Sequence, residues 1–286
     1  MNLQKVKTVG VVGAGTMGSG IAQVCAMAGY DTLVFDVNAD LLQKALKDIE
    51  RNLNVGVEKG KITQDQKQAT LASVSIAESL SDLKVDLIVE AVVERLDIKQ
   101  QIFSELEKIN TEETILSTNT SSIPVTQIAR ALTNPSRCVG LHFFNPAHIM
   151  KLVEVIAGAK TSPEVIELMK NFARSIKKDP VVAKDSPGFI VNRVARHYYV
   201  EALQLLEEQI ADIETIDQLL QSSGLKMGPF KLMDLIGVDT NFSVTTSMYN
   251  AFHQNPKFRP SRIQEQKVSA GELGKKSGRG FYDYSS

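Results

Sequence analysis

The stretch VGVVGAGTMGSGIAQVCAMAGYDTLVFD, Val9 to Asp36, decides the fold. Val9 to Val12 is a short β-branched run, and GAGTMG follows at once, placing Gly13, Gly15 and Gly18 in the pattern G-x-G-x-x-G. The small, apolar segment Gly20 to Gly29 predicts a helix, and Thr32 to Phe35 predicts a second strand ending in Asp36. In a strand–turn–helix setting each glycine has its own task. The first permits the tight turn, the second lets the backbone approach a pyrophosphate, and the third lets helix and strand pack closely. The helix N-terminus then receives the anion. An acidic residue about 20 positions on accepts from a ribose 2′-hydroxyl and repels a 2′-phosphate. The expectation is a dinucleotide site for NAD rather than NADP, formed by Gly13, Gly15, Gly18 and Asp36. The alternative is a glycine-rich turn in some other α/β domain.

Outward from this stretch, strand and helix alternate to about residue 185. A polar segment, Asn38 to Ala72, reads as two helices broken near Gly60. Strands are expected at Val74–Ile76, Val85–Val89, Ile115–Ser117, Val139–Phe143, Leu152–Ile156 and Val181–Lys184, with helices at Leu96–Ile109, after Pro124, and at Pro163–Ile176. DLIVEAV is nearly all apolar, as a strand covered on both faces must be. Such alternation implies a doubly wound, Rossmann-type sheet over residues 1–186, with ligand chemistry at the strand C-terminal ends. SPG at Ser186–Gly188 marks a break. Beyond it only helical spacing remains, at Phe189–Glu208, Asp212–Ser222 and Leu232–Tyr249. Residues 187–286 are therefore expected to form a smaller all-α domain, whose apolar surface suggests a homodimer interface.

Composition narrows the function classes. With 286 residues, 43% of them hydrophobic and 23% charged, the chain can bury a large core in two domains. A formal net charge of −1 provides no electrostatic footprint for nucleic acid or an anionic membrane. The two cysteines, Cys25 and Cys138, sit in apolar runs and read as buried hydrophobes, and no metal-ligand spacing is present. The first strand begins close to Met1, so no signal peptide is expected, and no apolar run is long enough for a bilayer. These features predict a cytoplasmic protein.

One histidine and one glutamate carry the chemistry. LHFFNP, Leu141 to Pro146, ends an apolar run with His142, and MKLVE, Met150 to Glu154, places Glu154 within VEVI. A glutamate inside a Val/Ile strand is costly unless something pairs it. An imidazole oriented by a buried carboxylate serves as a general base near neutrality. From these two residues alone, a structural His–Glu pair in a core is an equal reading.

Several motifs occur together and in order: GAGTMG, EAVVE (Glu90 to Glu94), NTSS (Asn119 to Ser122), LHFFNP, MKLVE, PGFIVNR (Pro187 to Arg193), MGPF (Met227 to Phe230) and LGKKSGRGFYDY (Leu273 to Tyr284). From Thr8 to Tyr284 the chain resembles the L-3-hydroxyacyl-CoA dehydrogenases, including the short bacterial 3-hydroxybutyryl-CoA type. The resemblance implies an NAD-dependent enzyme acting on an acyl-CoA thioester. It makes His142 the catalytic base with Glu154 as its partner, and Ser121 a contact to substrate and cofactor. Asn192 becomes the fourth active-site member. Glu94, Lys99, Asn145 and Lys276 fall beside the cofactor, and Lys59 against the coenzyme A portion.

Each assignment has a plainer rival. Ser121 and Ser122 precede Pro124, where one of them is expected to cap the next helix. Asn145-Pro146 reads as a turn, GKKSGRG as a mobile solvated loop, His148 as a solvated loop residue, and His197 and His253 as ordinary helix histidines. The acyl chain is the open question. 3-Hydroxybutyryl-CoA is the leading candidate. PSRIQEQ with Arg259 and Arg262, and ARHYY with Arg196 and His197, are similar to members acting on 3-hydroxyadipyl-CoA, whose distal carboxylate a cation would receive. Another oxidoreductase on the same scaffold would have no use for the His142–Glu154 pair. Nor would a non-catalytic NAD(H)-binding protein.

Overall fold

A computed structural model describes residues 3–285. The chain divides into two compact units, Met1–Ser186 and Pro187–Ser286. In the first, the order is β1 (Thr8–Val12), α1 (Thr16–Met27), β2 (Asp31–Phe35), α2 (Ala39–Glu58), α3 (Gln64–Ala72), β3 (Val74–Ile76), β4 (Leu87–Glu90), α4 (Leu96–Ile109), β5 (Ile115–Thr118), α5 (Val125–Ala129), β6 (Cys138–Phe143), β7 (Leu152–Ala157), α6 (Pro163–Ser175) and β8 (Asp179–Lys184). The strands form one eight-stranded sheet in the order β3-β2-β1-β4-β5-β6-β7-β8. The order reverses beside β1, between β1 and β4, where a ligand crevice is expected in an open α/β sheet.

Strands β4, β5 and β6 are buried at every residue and β1 at all but its first, as strands covered on both faces are. All pairings are parallel except β6 with β7. The chain between Phe143 and Leu152 is too short for a crossover, which takes a dozen or more residues, so β7 must turn back against β6. That reversal sets His142 directly opposite Glu154. The helix ends carry recognisable signals. Asn38 caps α2, Thr63 and Gln66 form a capping box on α3, and Ser162 before Pro163 caps α6.

The second unit holds α7 (Val191–Glu207), α8 (Ile213–Ser222), α9 (Pro229–Ile236), α10 (Val238–Ala251) and α11 (Arg262–Ser269) around Leu203, Ile216, Phe230, Met233 and Phe281. The single helix expected over Leu232–Tyr249 is two, because Gly237 adopts φ 104 and breaks it. Helix α11 has no counterpart in the expectation, since RIQEQKVS lacks a clear apolar stripe. Among the described residues, no helix is long and apolar enough to cross a membrane.

Candidate active site

The glycine turn is built as the spacing demands. Gly13 has φ 104, and a Cβ there would stand 2.6 Å from the Ala91 carbonyl oxygen. A Cβ on Gly18 would fall 1.7 Å from the Gly13 oxygen, so helix and turn pack with no room for a side chain. Gly15 is different: a Cβ there would meet no protein atom within 4 Å. Its missing side chain serves nothing inside the chain, which is what a cradle for an approaching pyrophosphate requires. Helix α1 begins at Thr16, inside the motif, and turns its first amides to that opening. The Asp36 carboxylate accepts from Ala14 N at 2.8 Å and from Asn38 N at 2.9 Å, which fixes it at the end of β2 beside the turn. These residues fit a dinucleotide with a free ribose 2′-hydroxyl.

His142 and Glu154 meet across β6 and β7. Nδ1 of His142 lies 2.7 Å from Oε2 of Glu154, and both residues are buried, at 5% and 1% exposure. With Glu154 ionised, Nδ1 carries the proton and donates it to the carboxylate, leaving Nε2 as the basic nitrogen of the neutral ring. Phe144 packs its ring 4.5 Å from the imidazole. Asn119 ties the next strand to this one, its amide oxygen accepting from Phe143 N at 2.8 Å.

The NTSS loop is held by Glu94, and the helix that follows it by Asp185, which no motif in the sequence marks. Oε1 of Glu94 accepts from Ser121 N, Ser122 N and the Ser122 hydroxyl at 3.0, 3.0 and 3.1 Å, and from the Thr120 hydroxyl at 2.5 Å. Burial alone would raise the Glu94 carboxyl. The Lys99 ammonium and the hydrogen bonds from Thr120, Lys99 and Ser122 outweigh it and hold the group below the usual carboxylate range. Lys99 lies 3.2 Å from Glu94 and 2.7 Å from Glu90. At 1% exposure, against 35% for Glu94, its ammonium sits beneath the surface that a cofactor would touch. Neither serine caps α5. Asp185 does so instead, its two carboxylate oxygens accepting from Val125 N and Thr126 N at 3.0 and 2.7 Å, while Glu94 occupies the backbone of both serines.

The loop joining β6 and β7 has its own anchor. Lys178, 6% exposed, donates through Nζ to the carbonyls of Ala147 at 2.6 Å and Met150 at 2.8 Å. Asn145, in a cis bond to Pro146, is exposed on this loop. His148 is half-buried rather than solvated; burial and the nearby Lys178 charge hold its pKa below the ordinary value. Lys59 stands exposed at the C-cap of α2, one helix length, about 30 Å, from the Asp36 end.

In the helical unit, Asn192 is half-buried in the first turn of α7. Lys276 pairs with Asp239 at 2.6 Å. The segment expected to be a mobile loop is tightly ordered: Asp234 accepts from Phe281 N, Tyr282 N and the Tyr284 hydroxyl, and Gly274 and Gly280 pack where a Cβ would strike Asp234. Arg196 is 3% exposed and donates to the Asn241 carbonyl at 2.8 Å and the Thr245 hydroxyl at 2.7 Å; burial brings its pKa down to about 10. Its Nη1 holds α10 and the residue is buried, which sets it apart from an accessible acyl-end cation. Arg259 and Arg262 are exposed. His197 lies on α7 and stacks on Phe258, whereas His253 lies past the end of α10 in left-handed backbone.

Residues 8–186 match the model of the 3-hydroxyacyl-CoA dehydrogenase NAD binding domain, and residues 188–284 that of the 3-hydroxyacyl-CoA dehydrogenase C-terminal domain. The chain is 48% identical over 281 residues to the 3-hydroxyadipyl-CoA dehydrogenase of Escherichia coli, with 98% of the chain aligned to 59% of that longer protein. It is 41% identical to the mitochondrial hydroxyacyl-coenzyme A dehydrogenase of Sus scrofa, covering 98% of the chain and 91% of the relative. The crystal structure of (S)-3-hydroxybutyryl-CoA dehydrogenase from Ralstonia eutropha superposes with a TM-score of 0.94 at 38% identity, covering 99% of the chain and 100% of that structure. With both domain models matched along nearly its whole length, the chain belongs to the 3-hydroxyacyl-CoA dehydrogenase family.

Proposed function

We propose that the chain interconverts an L-3-hydroxyacyl-CoA and the corresponding 3-oxoacyl-CoA. The observation that carries this reading is the buried His142–Glu154 pair, 2.7 Å apart, in the same sheet as the glycine turn. Bound NAD supplies the hydride acceptor, and the glycine turn with Asp36 holds it. Nε2 of His142 removes the C3 hydroxyl proton, and the Glu154 carboxylate offsets the positive charge that the ring acquires. The Ser121 hydroxyl positions the reacting oxygen. In reduction His142 returns the proton. Asn192 is assigned the family's remaining active-site position, Asn145 and Lys276 cofactor contacts, and Lys59 a coenzyme A contact.

A four-carbon acyl chain is the leading substrate, supported by the Ralstonia relative's title. The name and 48% identity of the Escherichia coli relative favour a second reading, a six-carbon chain with a distal carboxylate. Exposed apolar side chains of the helical unit, among them Ile210, Leu219 and Leu235, support a homodimer, which sedimentation velocity tests. The deciding assay follows NADH consumption with acetoacetyl-CoA and with 3-oxoadipyl-CoA. Faster turnover of the first supports the leading reading, and of the second the alternative. NADH binding with neither consumed rejects the enzyme.

A further inference from the structure

Glu90 closes β4 with its carboxylate wholly buried. Its Oε1 accepts from Lys99 Nζ and from Val92 N, each at 2.7 Å. Its Oε2 accepts from the Thr118 hydroxyl at 2.7 Å. Two routes lead from it to the serine loop. Thr118 Oγ1 accepts in turn from Thr120 N at 3.2 Å, so Glu90 grips the loop through one hydroxyl. Lys99 bridges Glu90 to Glu94, whose other oxygen holds Ser121 N and Ser122 N. The third contact, to Val92 N, fixes the turn that carries Glu94 itself. A buried carboxylate with a buried ammonium gains little net stability over apolar packing. What the arrangement does provide is a defined place for a loop with no regular structure of its own.

We infer that Glu90 is a positioning residue, setting the Ser121 loop for reaction through Thr118 on one side and Lys99–Glu94 on the other. Glu90 is wholly buried and presents no surface to a ligand. The inference rests on the proposed function only for what Ser121 does there. Glu90→Gln keeps the shape and removes the charge, so Lys99 is drawn onto Glu94 in competition with the serine amides. Its expected signature is a kcat for acetoacetyl-CoA reduction lowered by about 10- to 100-fold. The NADH dissociation constant is expected to rise by less than kcat falls, because Glu94 beside the cofactor is perturbed while the glycine turn and Asp36 are untouched.

Hydrogen exchange supplies a readout independent of catalysis. In Glu90→Gln the amides of residues 118–123 should exchange faster while those of β6 keep their protection. Thr118→Val, which removes one hydroxyl and leaves the ion pair, should give a smaller change of the same kind and decides the matter if Glu90→Gln does not fold. Unchanged exchange over 118–123 overturns the inference. So does faster exchange with kcat within twofold of wild type, since the loop's placement then would not matter to the reaction. A wild-type enzyme silent toward 3-oxoacyl-CoA would reject the proposed function instead, and the exchange comparison would still decide whether Glu90 sets the loop.

Discussion

The two units bury carboxylates equally well and use them differently. Glu90 and Glu154 in the sheet, and Asp217 and Asp234 among the helices, are each at most 1% exposed. Asp217 accepts from Phe230 N, Lys231 N and the Tyr282 hydroxyl, while Asp234 accepts from two amides and the Tyr284 hydroxyl. Amides do not titrate, and burial together with these carboxylates pushes both tyrosines above their usual range. Those aspartates therefore fasten chain segments. Glu154 faces an imidazole and Glu90 an ammonium. Burial alone does not mark a site; the chemistry of the facing group does.

Substitutions can break this contrast. The largest effect on activity is expected from His142→Asn, which keeps a donor near the Nδ1 position and deletes Nε2. Steady-state kinetics should show kcat down by roughly 10²–10⁴-fold, with a fold that stays intact by circular dichroism. Glu154→Gln favours the wrong tautomer and should cost up to about 10⁴-fold. Asp234→Ala is the counterpart among the helices. By orphaning buried donors it should lower unfolding free energy in denaturant by roughly 3 kcal/mol or more.

Smaller effects sharpen the comparison. Lys178→Met leaves the carbonyls of Ala147 and Met150 without their ammonium, and thermal denaturation should report a loss of about 1–3 kcal/mol. The smallest is pH-dependent. The Glu94 carboxyl is held below its unfolded value of about 4.3, so its contribution is present above that pH and is lost as pH falls through the folded value. Glu94→Gln should thus be less stable than wild type at neutral pH, and acid titration of the unfolding free energy should show the gap closing below about pH 4.

Much of this was legible in the residues. The eight strands lie on short β-branched runs, and the glycine spacing with Asp36 located the first βαβ unit. Less legible features turned on connections rather than on runs. The reversal of β7 follows from a short link, and the break between α9 and α10 from one glycine inside an otherwise helical pattern. Glu90 was readable by the argument used for Glu154, an acid within an apolar run, yet nothing in the spacing of the helix that carries Lys99 marks that lysine as its buried partner. Arg196 misled in the other direction, since sequence does not reveal that the residue is buried with its Nη1 given to a helix carbonyl and a threonine.

The most direct measurement is a pair of assays on wild type, His142→Asn and Glu154→Gln: NADH binding by fluorescence titration, and single-turnover oxidation of bound NADH by acetoacetyl-CoA. Equal binding in all three proteins and rapid oxidation only in wild type are expected. Oxidation at the wild-type rate in either variant would contradict that expectation.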